Sequence, residues 1–192
     1  GLGQWGRALA DGCARTRRPP LDVVAYDSMG QLPLDPKKYG ERREAEVAKR
    51  YFFKDVRKEK AKEAMKGKDV FGRGRVLMLV YPPPGEMAIE ALREYVKADR
   101  MVKPARGIKA MLWDATGPTG KNPYRNNALV YVGEGRGGAN ADEDFFDYLE
   151  EGQDGWVLEK VIELQPFGKG KGFEKMWLFR RKSSDDAFVS KK

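Results

Sequence analysis

The stretch VLMLVYPPPGEMAIEALREY, residues 76–95, constrains the fold more than any other part of the chain. An unbroken apolar run meets three consecutive prolines and a glycine. Beyond Gly85, the positions Ala88, Ala91, Leu92, Tyr95 and Val96 recur at the i, i+3, i+4, i+7, i+8 spacing of one helical face. Continuous apolar character suits a strand covered on both faces of its sheet. Pro82, Pro83 and Pro84 have fixed φ and no N–H to offer a ladder, so they stop the strand at a rigid turn. The stretch predicts a strand, a turn and a helix in immediate succession.

The same grammar recurs along the chain. Strand candidates are LDVVAY (21–26), RVLMLVY (75–81), NALVYV (127–132), WVLEKVIEL (156–164) and FEKMWLF (173–179), and the first three have central character. NADEDFFDYLEEG (140–152) opens on capping and acidic residues and closes on Gly152, which predicts a helix that docks Phe145, Phe146 and Leu149 on the sheet. Strands alternating with helices imply an α/β fold with a parallel sheet. Only the turn-rich QPFGKGKG (165–172) separates the last two strands, which should form an antiparallel hairpin. Residues 100–126 read as a long insertion and 183–192 as a tail. At 192 residues, one domain is the expectation.

Composition excludes several chemistries. The chain has no histidine and a single cysteine, Cys13, so a Ser-His-Asp triad, a Cys-His pair, imidazole metal sites and an internal disulfide are all ruled out. One unpaired cysteine suits an intracellular, reducing compartment. No apolar run approaches the roughly 20 residues of a membrane span, and GLGQWGRALADG lacks the basic flank and apolar core of a signal peptide.

Charge is concentrated. Residues 37–75 carry 15 Lys+Arg against 7 Asp+Glu, a surplus equal to the whole net charge of +8, while the remainder holds 22 of each sign. One reading is a solvated helical face, with Glu46 and Arg50 at i,i+4 and Val56, Ala61, Ala64 and Met65 as a narrow apolar stripe. The other is a contact surface for RNA or an acidic protein neighbour, because concentrated positive charge attracts polyanions at long range. GEGRGG (133–138) lacks the Lys-Ser/Thr of a phosphate-binding P-loop and reads as a flexible loop, with Glu134 as its one candidate base.

Ligands of open α/β sheets bind beyond the carboxyl ends of strands. GLGQWG, the end of VVAYD and the exit VYPPPG are therefore the places to look. Together with the terminal hairpin, these three turns resemble the S-adenosylmethionine-dependent methyltransferase family. Within it, LMLVYPPPGEMAIEAL, LVYVGEGRGGANADEDFFDYL and MWLFRR are similar to a group with W/Y-P-P and Y-V/I-G-E strand ends.

The resemblance implies a three-layer Rossmann-like fold over residues 1–182, with a mostly parallel sheet, a terminal antiparallel strand and insertions at about 37–75 and 100–126. Gly1, Gly3 and Trp5 look like the back half of a cofactor-cradling glycine loop, which would leave the first strand of that fold outside these 192 residues. Asp27 looks like the acid that takes the cofactor ribose, and Tyr81 with Pro82 looks like the fourth-strand motif. Gly3, Asp27 and Tyr81 are then expected to converge on one cleft holding S-adenosylmethionine. Tyr81 stands where amine-methylating relatives carry Asp or Asn, and Pro84 where they carry an aromatic, which argues against direct amine recognition. The resemblance implies either a methyltransferase or a catalytically silent methyltransferase-like subunit of a larger protein or ribonucleoprotein assembly.

Overall fold

A computed structural model of the chain describes residues 4–16, 19, 21–28, 56–67, 74–100, 126–164 and 173–182. The chain divides into two compact units, residues 1–64 and 65–192. It is a mixed α/β protein.

In the first unit, helix α1 spans Gln4–Arg15. Arg7 and Asp11 face each other one turn apart at 3.6 Å, and the Thr16 hydroxyl donates to the Gly12 carbonyl at 2.8 Å, closing the last turn. Strand β1 (Ala25–Asp27) pairs in parallel with β2 (Val56–Lys58), in the register Ala25↔Val56 to Asp27↔Lys58. The 21–26 candidate is thus shorter and shifted, and Leu21 is exposed.

Strand β2 corrects the reading of DVRKEKAKEAMKG as one helical face. Val56 lies five residues before Ala61, off the three-to-four-residue step of a helix, and pairs with Ala25 instead. Among the described residues of that stretch, Ala61–Met65 alone is helical (α2), with Ala64 and Met65 buried. Residues 37–55 and 68–73 of the basic segment, and the 100–126 insertion apart from Arg100 and Asn126, lie outside the described residues.

The second unit is built on a four-stranded sheet in the order β3-β4-β6-β5, formed by β3 (Leu77–Val80), β4 (Ala128–Gly133), β5 (Trp156–Glu163) and β6 (Lys175–Arg181). β3 and β4 are parallel, whereas β6 is antiparallel to both β4 and β5. The expected antiparallel strand between NALVYV and WVLEKVIEL is present. The expectation of a mostly parallel sheet is not met, since two of these three pairings are antiparallel. The reason is local: only eleven residues, 164–174, separate β5 from β6, too few for the crossover that parallel strands need, and so short a connection joins antiparallel strands.

Leu77, Leu79, Leu129, Tyr131, Trp177 and Phe179 share one face of this sheet by register. Helices α3 (Met87–Arg100) and α4 (Glu143–Glu150) touch each other and supply the buried side chains Ile89, Leu92, Tyr95, Val96, Phe145, Phe146, Tyr148 and Leu149. Tyr131 is the hub, its ring 5.3 Å from Phe145, 5.8 Å from Phe146 and 5.1 Å from Trp177. Such aromatic contacts add about 0.5–1.5 kcal/mol each beyond buried area. Tyr95 ties α3 to the segment leading into β3 and to β4 by directing its hydroxyl towards the carbonyls of Arg75 and Ala128. Nothing among the described residues supports the expected three-layer arrangement.

Candidate functional site

The chain leaves β3 and β4 at the same end of the sheet, as parallel neighbours must. At the β3 exit, the Tyr81 N–H donates to the Val132 carbonyl at 2.8 Å, adding a last rung to the ladder. Tyr81 then turns the chain with φ 46°, a left-handed conformation that costs a non-glycine residue roughly 1–2 kcal/mol. Pro82 follows, and the right-handed helical region is disfavoured for the residue before a proline. Tyr81 is 44% exposed. Desolvation, and then the nearby Glu174 carboxylate, push its hydroxyl above the ordinary tyrosine range, so it remains a proton donor at neutral pH.

Pro82 is fully buried, and its carbonyl accepts from the Ala141 N–H at 3.2 Å and from Asn140 Nδ2 at 3.3 Å. At the β4 exit, the Glu134 N–H donates to Asn140 Oδ1 at 3.0 Å, and the Tyr131 hydroxyl donates to the Glu134 carbonyl at 2.6 Å. Asn140 therefore joins the two strand exits with one side-chain amide. Removing it by Asn140→Ala takes the acceptor from the half-buried Glu134 N–H and leaves the Pro82 carbonyl with the Ala141 N–H alone, and stability should fall by about 1–3 kcal/mol in urea unfolding. An unchanged midpoint would show that the exits hold together without it.

The loop GEGRGG is scaffolded by its own acid. Glu134 Oε2 accepts from the Ala139 N–H at 2.8 Å, and the Gly138 N–H returns to the Gly135 carbonyl at 3.0 Å. A Cβ at Gly138 would sit 2.4 Å from the Glu134 Cβ, so the tight return needs glycine. Glu134, the one candidate base here, is engaged in holding the loop. Asp142 then caps α4, its Oδ1 accepting from the Phe145 N–H at 3.1 Å. Arg136 reaches from the loop to α4, with Asp147 at 2.8 Å, Glu150 at 2.9 Å and Glu143 also in contact. The Glu150 and Asp147 carboxylates, joined by Glu143, push the guanidinium further above its ordinary range.

Beneath this loop and α4 lies a cavity of about 480 Å³, walled by Tyr131, Phe145, Phe146, Trp177 and Phe179, with Arg136 and Glu150 at its polar side. Neither Tyr81 nor Pro82 lines it. Gly1 and Gly3 lie outside the described residues. Asp27 ends β1 in the first unit, half-buried, with its carbonyl accepting from the Glu59 N–H at 3.1 Å. Tyr81 and Pro82 are brought against the 133–141 loop in the second unit.

Asn140 and Tyr131 were not singled out from the sequence. The only trace of Asn140 there is its place between a glycine run and a helix start, which signals a cap and says nothing of a second strand exit. Among the described residues, no group of three or more His, Cys, Asp and Glu is placed to hold a metal, and no helix is long and apolar enough to cross a membrane. The chain matches no protein-family model, no curated protein and no solved structure.

Proposed function

We propose that the chain is a methyltransferase-like domain that binds S-adenosylmethionine. The observation that carries this reading is the strand order β3-β4-β6-β5, with β6 antiparallel between two strands that run in the opposite direction. It agrees with the terminal arrangement expected from the family resemblance. The buried Pro82, the left-handed Tyr81 and the loop pinned by Asn140 supply a rigid, partly aromatic wall at the carboxyl ends of β3 and β4, where ligands of such sheets bind. In this reading the finer architecture is the Rossmann-like methyltransferase fold. Gly1, Gly3 and Asp27 keep the cofactor roles that the resemblance gives them, and methyl transfer proceeds by positioning the acceptor rather than through an imidazole base.

A catalytically silent subunit is the second reading, favoured by Glu134, whose carboxylate is occupied by the Ala139 N–H. The basic segment would then grip RNA or an acidic neighbour.

Titration calorimetry with S-adenosylmethionine and S-adenosylhomocysteine tests the first reading. Saturable binding is expected, and Asp27→Ala should weaken it about tenfold or more through loss of charge-assisted hydrogen bonds to the ribose. No saturable heat at millimolar cofactor would overturn it.

A further inference from the structure

Strand β5 is the outer strand of the four-stranded sheet, and from Val157 to Glu163 every residue is exposed. Val157, Leu158, Val161 and Ile162 keep between 41% and 48% of their surface. An apolar edge strand offers its outward N–H and C=O groups as a template for another strand.

The order of residues along β5 indicates which strand that is. When VLEKVI is laid antiparallel against itself about a point between Glu159 and Lys160, Val157 falls opposite Ile162, Leu158 opposite Val161, and Glu159 opposite Lys160. Every apolar residue meets an apolar one and each charge meets its opposite.

In a regular strand this register is forbidden. Leu158 and Val161 are three residues apart, so they would point to opposite faces, and their backbone groups to opposite edges. A β-bulge between Leu158 and Lys160 removes the conflict. Leu158 pairs with Phe179 and Val161 with Trp177, two residues apart on β6 and hence on one face. Val157 and Ile162 pair with Arg180 and Met176, which share the other face. The bulge sits at the centre of the self-complementary stretch and brings its two halves into phase.

The ion pairs agree. Glu159 is held by Arg180 at 3.0 Å and Glu163 by Lys175 at 2.8 Å, whereas Lys160 has no carboxylate partner among the described residues. In the self-paired register, Lys160 meets Glu159 of the second copy.

We infer that β5 is a homodimerisation edge, on which two copies pair antiparallel about Glu159 and Lys160 and join their sheets into one. The contact is isologous, each half supplying the same patch. Main-chain hydrogen bonds carry affinity and the facing side chains set register. A single strand pair lies at the small end of specific interfaces, below about 1,200 Å² in total, so a micromolar dimer is expected.

Sedimentation velocity on the full chain, run across the micromolar range, reads the association. Glu159→Lys and Lys160→Glu should each weaken the homodimer about tenfold or more, by setting like charges opposite each other at both ends of the central pair. Mixing the two variant chains restores opposite charges at every position, and a heterodimer should form where neither homodimer does. Far-UV circular dichroism checks that both exposed substitutions leave the fold intact. Should either misfold, Leu158→Lys tests the same edge through the contact with Val161. A wild-type chain that stays monomeric throughout, a dimer indifferent to both charge reversals, or two dissociated variants that do not recombine would each overturn the inference.

Discussion

Phe145→Ala is expected to lower the unfolding free energy by about 3–5 kcal/mol, the range for truncating a fully buried aromatic. Phe145 is wholly buried, with Tyr131 and Phe146 at ring distances of 5.3 and 5.5 Å. It also walls the cavity of about 480 Å³. Deleting the ring enlarges an existing void between two rigid elements, so little of the lost contact can be recovered by collapse, and the cost should fall towards the upper end. Chemical denaturation of the two proteins side by side measures it. A loss under 1 kcal/mol would mean that α4 does not seat on this face.

The second large effect is expected at Arg181, which is 1% exposed at the end of β6. Its Nε donates to the Asp154 carbonyl at 3.2 Å and an Nη to the Asn126 carbonyl at 3.1 Å, while the guanidinium lies 5.8 Å from the Trp156 ring centroid. One planar group thus fastens the strand end, the turn before β5 and the start of β4. Arg181→Ala removes charge-assisted bonds worth roughly 1.5–3 kcal/mol each and the packing of the stem on Trp156, so a loss of about 3 kcal/mol or more is expected. Arg181→Lys keeps the charge but not the fork that reaches two carbonyls at once, and should recover less than half of the loss. Full recovery by lysine would show that charge, not geometry, is what this position supplies.

The same corner explains a glycine. Gly155 lies at φ 79°, and a Cβ there would stand 2.4 Å from the Lys182 carbonyl oxygen, while the Lys182 N–H donates to the Gly155 carbonyl at 2.8 Å. The beginning of β5 and the end of β6 thus approach backbone to backbone beside the buried Arg181.

Much of the second unit was legible beforehand, for reasons that can be named. The helical period after Gly85 and the capped acidic run before Phe145 each place apolar residues on one face, and both became helices with that face buried. Local periodicity is a short-range property, so it survives without knowledge of the partner. WVLEKVIEL was recognisable as a strand for the same reason, but its position at the edge of the sheet was not, because a strand's neighbours are chosen by distant residues. The stripe drawn through Val56, Ala61, Ala64 and Met65 failed at its first member, where pairing with Ala25, 31 residues earlier, outweighed a weak helical pattern.

The candidate site divides in the same way. Tyr81 and Pro82 could be located at a strand exit from the prolines alone, since a proline's missing donor is a covalent fact. That the neighbouring exit is fastened to them by Asn140, 58 residues beyond Pro82, is a tertiary event without a local signature. Glu134 is the converse. The sequence presents it as a free carboxylate beside glycines, and folding turns it into a structural acceptor for Ala139.

Residue identity and local spacing exclude histidine chemistry and an internal disulfide within these 192 residues, and they mark where strands must stop and which faces of α3 and α4 are apolar. Each of these depends on residue identity or on spacing within a few turns. The order β3-β4-β6-β5, the phase set by the β5 bulge, the burial of Arg181 and the union of two strand exits through one amide arise only on folding. Each of these requires groups far apart in the chain to meet, and the entropy of closing those loops is recovered only when the whole set of contacts forms together.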